Sequence, residues 1–183
     1  MAARNPAPLL NRGAPARARG GQPRTGPPPA RAAKASLAAF LSRFAPAVAA
    51  LARAALARTR ALTPPSYELV YDAYNALSVG FSFNERTSEH FLHVAVYPRH
   101  VNVGFPFGIS LTDPERRLLG CGSRVRHLTI RTRSDLRDPA LARFVREAAE
   151  QALARATTPP PARRRLVIKA IYARQRPRRP PSS

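Results

Sequence analysis

The side chains best equipped for chemistry in this chain are four histidines, one cysteine and ten carboxylates. Their spacing limits what they can do. Cys121 lies between Gly120 and Gly122 with Arg124 nearby, a setting that could lower a thiol pKa and make a nucleophile. The base would have to be His127 or a more distant histidine, and no spacing fixes that geometry, so no catalytic residue is assigned. Glu85, Glu89, His90 and His93 offer oxygen and nitrogen ligands for a metal, but their pattern also fits a polar loop entering a strand. Gly120, Gly122, Ser123, Arg124 and Arg126 could form a nest of backbone N–H groups beside guanidiniums, an anion-binding loop. The competing reading is a turn in which glycine supplies positive φ. No Lys-Ser/Thr pair follows and the strand comes after the glycines, so this is neither a P-loop nor a dinucleotide fingerprint, and no cofactor is expected.

The elements that must hold these residues follow from periodicity. Leu37, Phe40, Leu41, Phe44, Val48, Leu51 and Ala55 recur at spacings of three and four, with Ser36 as a candidate N-cap. Pro46 divides this stretch into a short helix ending near Phe44 and a longer one stopping before Pro64 and Pro65. Residues 67–74 fit either a helical turn or a strand. Strands are expected at 77–83, 91–97, 100–105, 126–131 and 165–172, with Leu166, Ile168, Ala170 and Tyr172 on one side of the last. Asp113-Pro114 predicts a brief helix through Leu119, and Asp138-Pro139 a longer one carrying Leu141, Phe144, Val145, Ala148 and Ala152. The order implies an α+β domain over 36–172: a single antiparallel sheet covered on one face by N-terminal and C-terminal helices.

Alternation then sorts the strand residues. Leu92, Val94, Val96, Val101, Val103, Phe105, Leu128 and Ile130 share the parity of a helix-covered core. The opposite parity collects His93, Tyr97, His100, Asn102, His127, Thr129 and Arg131, with Ser78, Gly80 and Ser82 on the neighbouring strand. Such an imidazole-rich face could hold an anion, a metal or a partner protein, or could be ordinary solvated sheet.

Charge is distributed unevenly. The net charge is +21, yet residues 66–155 hold all ten acids against twelve arginines, so the excess belongs to the first helices and the ends. Residues 1–35 and 173–183, rich in Arg and Pro, are read as disordered tails. Clusters such as Arg163 to Arg165 and Arg178-Arg179 would support weak, nonspecific nucleic-acid contacts. Arg outnumbers Lys 29 to 2, which a GC-rich genome produces without selection for binding. A lone cysteine excludes an internal disulfide, no apolar window reaches the roughly 18 residues of a membrane span, and a cytoplasmic setting is the simplest expectation.

The runs Tyr71 to Leu77, Phe105-Pro106-Phe107-Gly108, Leu111-Thr112-Asp113-Pro114 and Gly120-Cys121-Gly122-Ser123-Arg124-Val125-Arg126-His127 resemble, in order and spacing, the YdhG-like family of bacterial domains. That resemblance implies a frataxin-like fold, and some relatives are described as iron chaperones. Iron binding of that type relies on an acidic ridge on the first helix, whereas residues 1–67 contain no Asp or Glu. The expectation is therefore a non-enzymatic binding module for a protein partner or small anion, acting through the polar sheet face or the Gly120 to His127 loop.

Overall fold

In the computed structural model, residues 30–180 are described. Three helices, α1 (Ala30–Ser42), α2 (Pro46–Leu62) and α3 (Pro139–Arg155), pack on six strands: β1 (Tyr67–Asp72), β2 (Leu77–Ser82), β3 (Leu92–Val96), β4 (Val101–Phe105), β5 (Arg126–Ile130) and β6 (Arg165–Ile171). The sheet order is β5-β4-β3-β2-β1-β6.

The sheet is mixed, which corrects the purely antiparallel expectation. Strands β1 to β5 pair antiparallel in sequence, so β5 points the same way as β1. Helix α3 reverses the chain once more, and β6 therefore arrives parallel beside β1. A register shift between Val70 and Tyr71 also breaks the alternation expected of β6: Leu166 and Ile168 pack toward the core, but Ala170 stands opposite Tyr71 on the other side.

Helix α1 starts at Ala30, six residues before the expected boundary. Ser36 is inside it, its hydroxyl donating to the Ala32 carbonyl rather than capping. Pro46 opens α2, as its missing N–H and fixed φ favour. Asp138 caps α3 by accepting from the Ala140 N–H at 2.8 Å. The buried faces of the helices meet Val70, Val79, Phe81, Val94, Val103 and Phe105, with Phe44, Leu56 and Phe144 filling the layer between.

The short helix expected after Asp113 does not form. Arg116 adopts φ +53°, which ends any helical run, and the Asp113 carboxylate instead accepts from the N–H groups of Arg117 and Leu118. Glu147 of α3 takes the Thr112 N–H and hydroxyl, tying this loop to the helix layer.

Residues 173–180, expected to be an unfolded tail, lie against the domain. Arg176 N–H bonds the Tyr74 carbonyl, Gln175 donates to the Asp72 carbonyl, and Arg178 is buried with its guanidinium 2.8 Å from the Asp72 carboxylate. Arg43, from the α1–α2 junction, pairs with the other Asp72 oxygen. Arg164 donates to the carbonyls of Arg60 and Thr63 and so caps the C-terminus of α2. Two arginines expected to meet phosphates are thus structural. The tail expected over residues 1–35 lies outside the described residues as far as position 29.

Candidate functional site

Register places the candidate site. Across the face opposite the helices, one row of paired residues reads His127, Gly104, His93, Gly80 and Leu69 from β5 to β1. The next row reads Thr129, Asn102, Ala95, Ser78 and Tyr71. The glycines explain how the imidazole fits. A Cβ on Gly104 would stand 2.3 Å from His93 Nε2, so only a glycine leaves room for that ring. His90 covers Gly80 from the other side.

The β2–β3 connection folds over part of this face. Tyr71 Oη bonds Thr87 Oγ1, and Lys169 Nζ donates to the Glu85 carbonyl at 3.1 Å. That brings His90 beside His93, ring centroids 5.6 Å apart. Position 90 lies in the loop rather than a strand, so alternation could not assign it to the face; its spacing of three from His93 was the available signal.

Burial holds the His93 imidazole neutral, with its pKa lowered to about 4, and the neighbouring His90 and His127 push the same way. His100 is lowered by burial and then by Arg131 and His127. His127 is thus electrostatically coupled to both His93 and His100, and Arg131 to His100. Tyr97 and His100 stack at 4.9 Å across the β3–β4 turn, at the mouth of a groove of about 670 Å³ shared with Arg176 and Arg179 of the docked C-terminal segment. The six residues of the expected face therefore lie on one side of the sheet. They divide between an inner row around His93 and an outer cluster of Tyr97, His100 and Arg131.

Two polar atoms on this face, His93 Nδ1 and Asn102 Oδ1, are buried without a hydrogen-bond partner among the described residues. They sit on paired strands in adjacent rows. A group able to donate to Asn102 and bond His93 would satisfy both.

The other proposed sites separate. Glu89 is bound by Asn84 and Arg86, which hold its carboxyl below the usual carboxylate range. Glu85 is exposed and contributes its carbonyl to Lys169. Neither joins His93 in a ligand set, and among the described residues no group of three His, Cys, Asp or Glu is placed to hold a metal. In the Gly120 to Arg126 loop, Gly120 has φ +121°, as a turn glycine would. Arg126 donates to the carbonyls of Gly122 and Val125, stapling the loop from within. Arg124 lies over the Phe107 ring, while Gly122, Ser123 and Cys121 are exposed.

No protein-family model matches the chain, and no curated protein or solved structure matches it either. Among the described residues, no helix is long and apolar enough to cross a membrane.

Proposed function

We propose that this chain is a non-enzymatic binding domain of the YdhG-like kind, whose open sheet face holds a small protonated oxyanion such as phosphate. The observation that carries the reading is the pair of buried, unpartnered atoms His93 Nδ1 and Asn102 Oδ1 beside the glycine-flanked imidazole row. A protonated oxyanion presents both a donor and acceptors, which is what these atoms lack. Arg131 supplies a fixed positive charge beside His100, and none of the strand residues on this face is acidic. The Gly120 to His127 loop supports an anion less well, because the Arg126 guanidinium already donates to the loop's own carbonyls. An iron-carrying role has less support still, since the carboxylates near His93 are engaged elsewhere.

Backbone amide NMR during titration with inorganic phosphate tests the reading, with acetate, which carries no donor at neutral pH, as the comparison. Shifts should concentrate in residues 93–104 and 127–131 and vanish in the His93→Gln/Asn102→Ala variant. Saturable shifts confined to residues 120–126, or no saturable shift with phosphate, would overturn it.

A further inference from the structure

On the opposite side of the sheet, in the helix layer, a second feature belongs to neither the fold's stability nor the imidazole face. Arg53 and Arg58 of α2 and Arg133 and Arg137 of the β5–α3 connection line one groove of about 720 Å³. Ala50, Ala54 and Ala57 floor it with Leu136. These alanines and arginines fall at i, i+3, i+4, i+7 and i+8 of α2, so the helix presents them as a single stripe.

None of the four side chains has a hydrogen bond, ion pair or aromatic partner among the described residues, and the Nε of Arg58 is buried without one. The acids nearest in sequence form no ion pair with them: Asp138, next to Arg137, accepts from the Ala140 N–H and pairs with Arg117. Asp135 turns its carboxylate to the N–H groups of Arg131 and Thr132, both within 2.9 Å. Arg53 also borders a neighbouring groove with Lys34 and Arg164, where the one carboxylate, Glu68, is held by Arg60. Glu68 is the one acid among the residues that line the two grooves, so their linings are dominated by positive charge from the β5–α3 connection across α2 toward α1. Biased codon usage would account for a high arginine content; it would not account for four converging from two separate elements on one groove whose lining holds no acid.

We propose that this groove binds the phosphodiester backbone of double-stranded nucleic acid without reading its sequence. Guanidiniums match phosphate geometry and the small alanines let a backbone approach closely. The lining contains no aromatic ring to stack an unpaired base and no amide side chain to read a base edge, which favours a duplex over a single strand.

Fluorescence anisotropy of the full chain with a labelled duplex of roughly 20 base pairs, and with one of its single strands, over a salt series tests the assignment. Arg53, Arg133 and Arg137 are exposed, so Arg53→Gln/Arg133→Gln/Arg137→Gln leaves the core intact. If each contacts one phosphate, the log–log salt slope falls by about 0.9 per residue, or about 2.7 together. Affinity for the duplex then drops roughly a hundredfold at about 0.15 M salt. The control Arg99→Gln/Arg116→Gln/Arg163→Gln removes the same charge outside the groove and keeps the parental slope. Equal losses in both triple variants would show diffuse attraction and overturn the proposal. Tighter binding of the single strand than of the duplex would overturn it as well.

Discussion

Arg178→Met tests whether the C-terminal segment belongs to the fold. The Asp72 side chain is fully buried and that of Arg178 is 5% exposed, with 2.8 Å between them. Removing one partner of a buried pair destabilises by about 3–5 kcal/mol, because the remaining charge is stranded. Two features pull the figure down. Arg43 still pairs with Asp72, although its side chain is 40% exposed, and Arg178 itself carries two buried nitrogens, Nε and Nη1, without partners. Two others raise it: the Ala73 carbonyl loses its donor, and the guanidinium leaves the Phe44 ring. The balance is about 3 kcal/mol. For a domain of this size that lowers Tm by about 6–12 °C. Urea unfolding followed by circular dichroism should show the midpoint fall with an unchanged slope. Truncation after Tyr172 should lose at least as much, and Asp72→Leu/Arg178→Met should recover part of the loss, since no buried charge then remains. A change within about 0.5 kcal/mol for Arg178→Met, the range of an ordinary surface substitution, would refute the reasoning.

The His93 imidazole gives a stability that depends on pH. Its folded pKa of about 4 lies below the ordinary 6.5, so the unfolded chain binds the proton more readily. Its contribution is full above about pH 6.5, declines as pH falls and is spent near pH 4, a loss of about 3 kcal/mol. Urea midpoints measured from pH 7 to pH 4 should therefore fall more steeply for the parent than for His93→Gln. Gly104→Ala places a methyl against the His93 ring. It should destabilise by about 1–2 kcal/mol and move the His93 pKa, read by NMR, back toward 6.5.

Alternation was sufficient to find the polar face because strands β3, β4 and β5 are free of bulges; one consistent parity carries His93, Asn102 and His127 to the same side. It failed on β6, where the register shift at Val70 and Tyr71 changes the facing of later residues. The parallel edge was legible in principle, since counting chain reversals from β1 through α3 sets the direction of β6. Helix α1 was cut short because Ala30 to Ala35 lack large apolar residues, so periodicity carried no signal there. The C-terminal segment was misread for a different reason. Its composition is that of an unfolded tail, and what fixes it are long-range bonds to residues 72–74, chief among them the Arg178 pairing with an acid 106 residues away. His90 was legible only as a possible metal ligand and not as part of the polar face, since a loop carries no period.

The arginines bear on function only after their structural duties are subtracted. Arg60 holds buried Glu68 with two bonds, Arg43 and Arg178 hold Asp72, and Arg164 caps α2. These guanidiniums answer demands created by burying two carboxylates and a helix end on the helix side of the sheet. The four around the α2 groove answer no such demand. The groove also lies in the helix layer, whereas His93 faces away from it across the sheet, so the two surfaces make separable predictions. Neutralising Arg53, Arg133 and Arg137 should leave the His93 titration where it is, and His93→Gln should leave the salt slope of duplex binding unchanged. A shift of either property by the other substitution would mean that one ligand contacts both sides of the sheet, which the intervening buried layer of Val79, Val94 and Val103 forbids without unfolding.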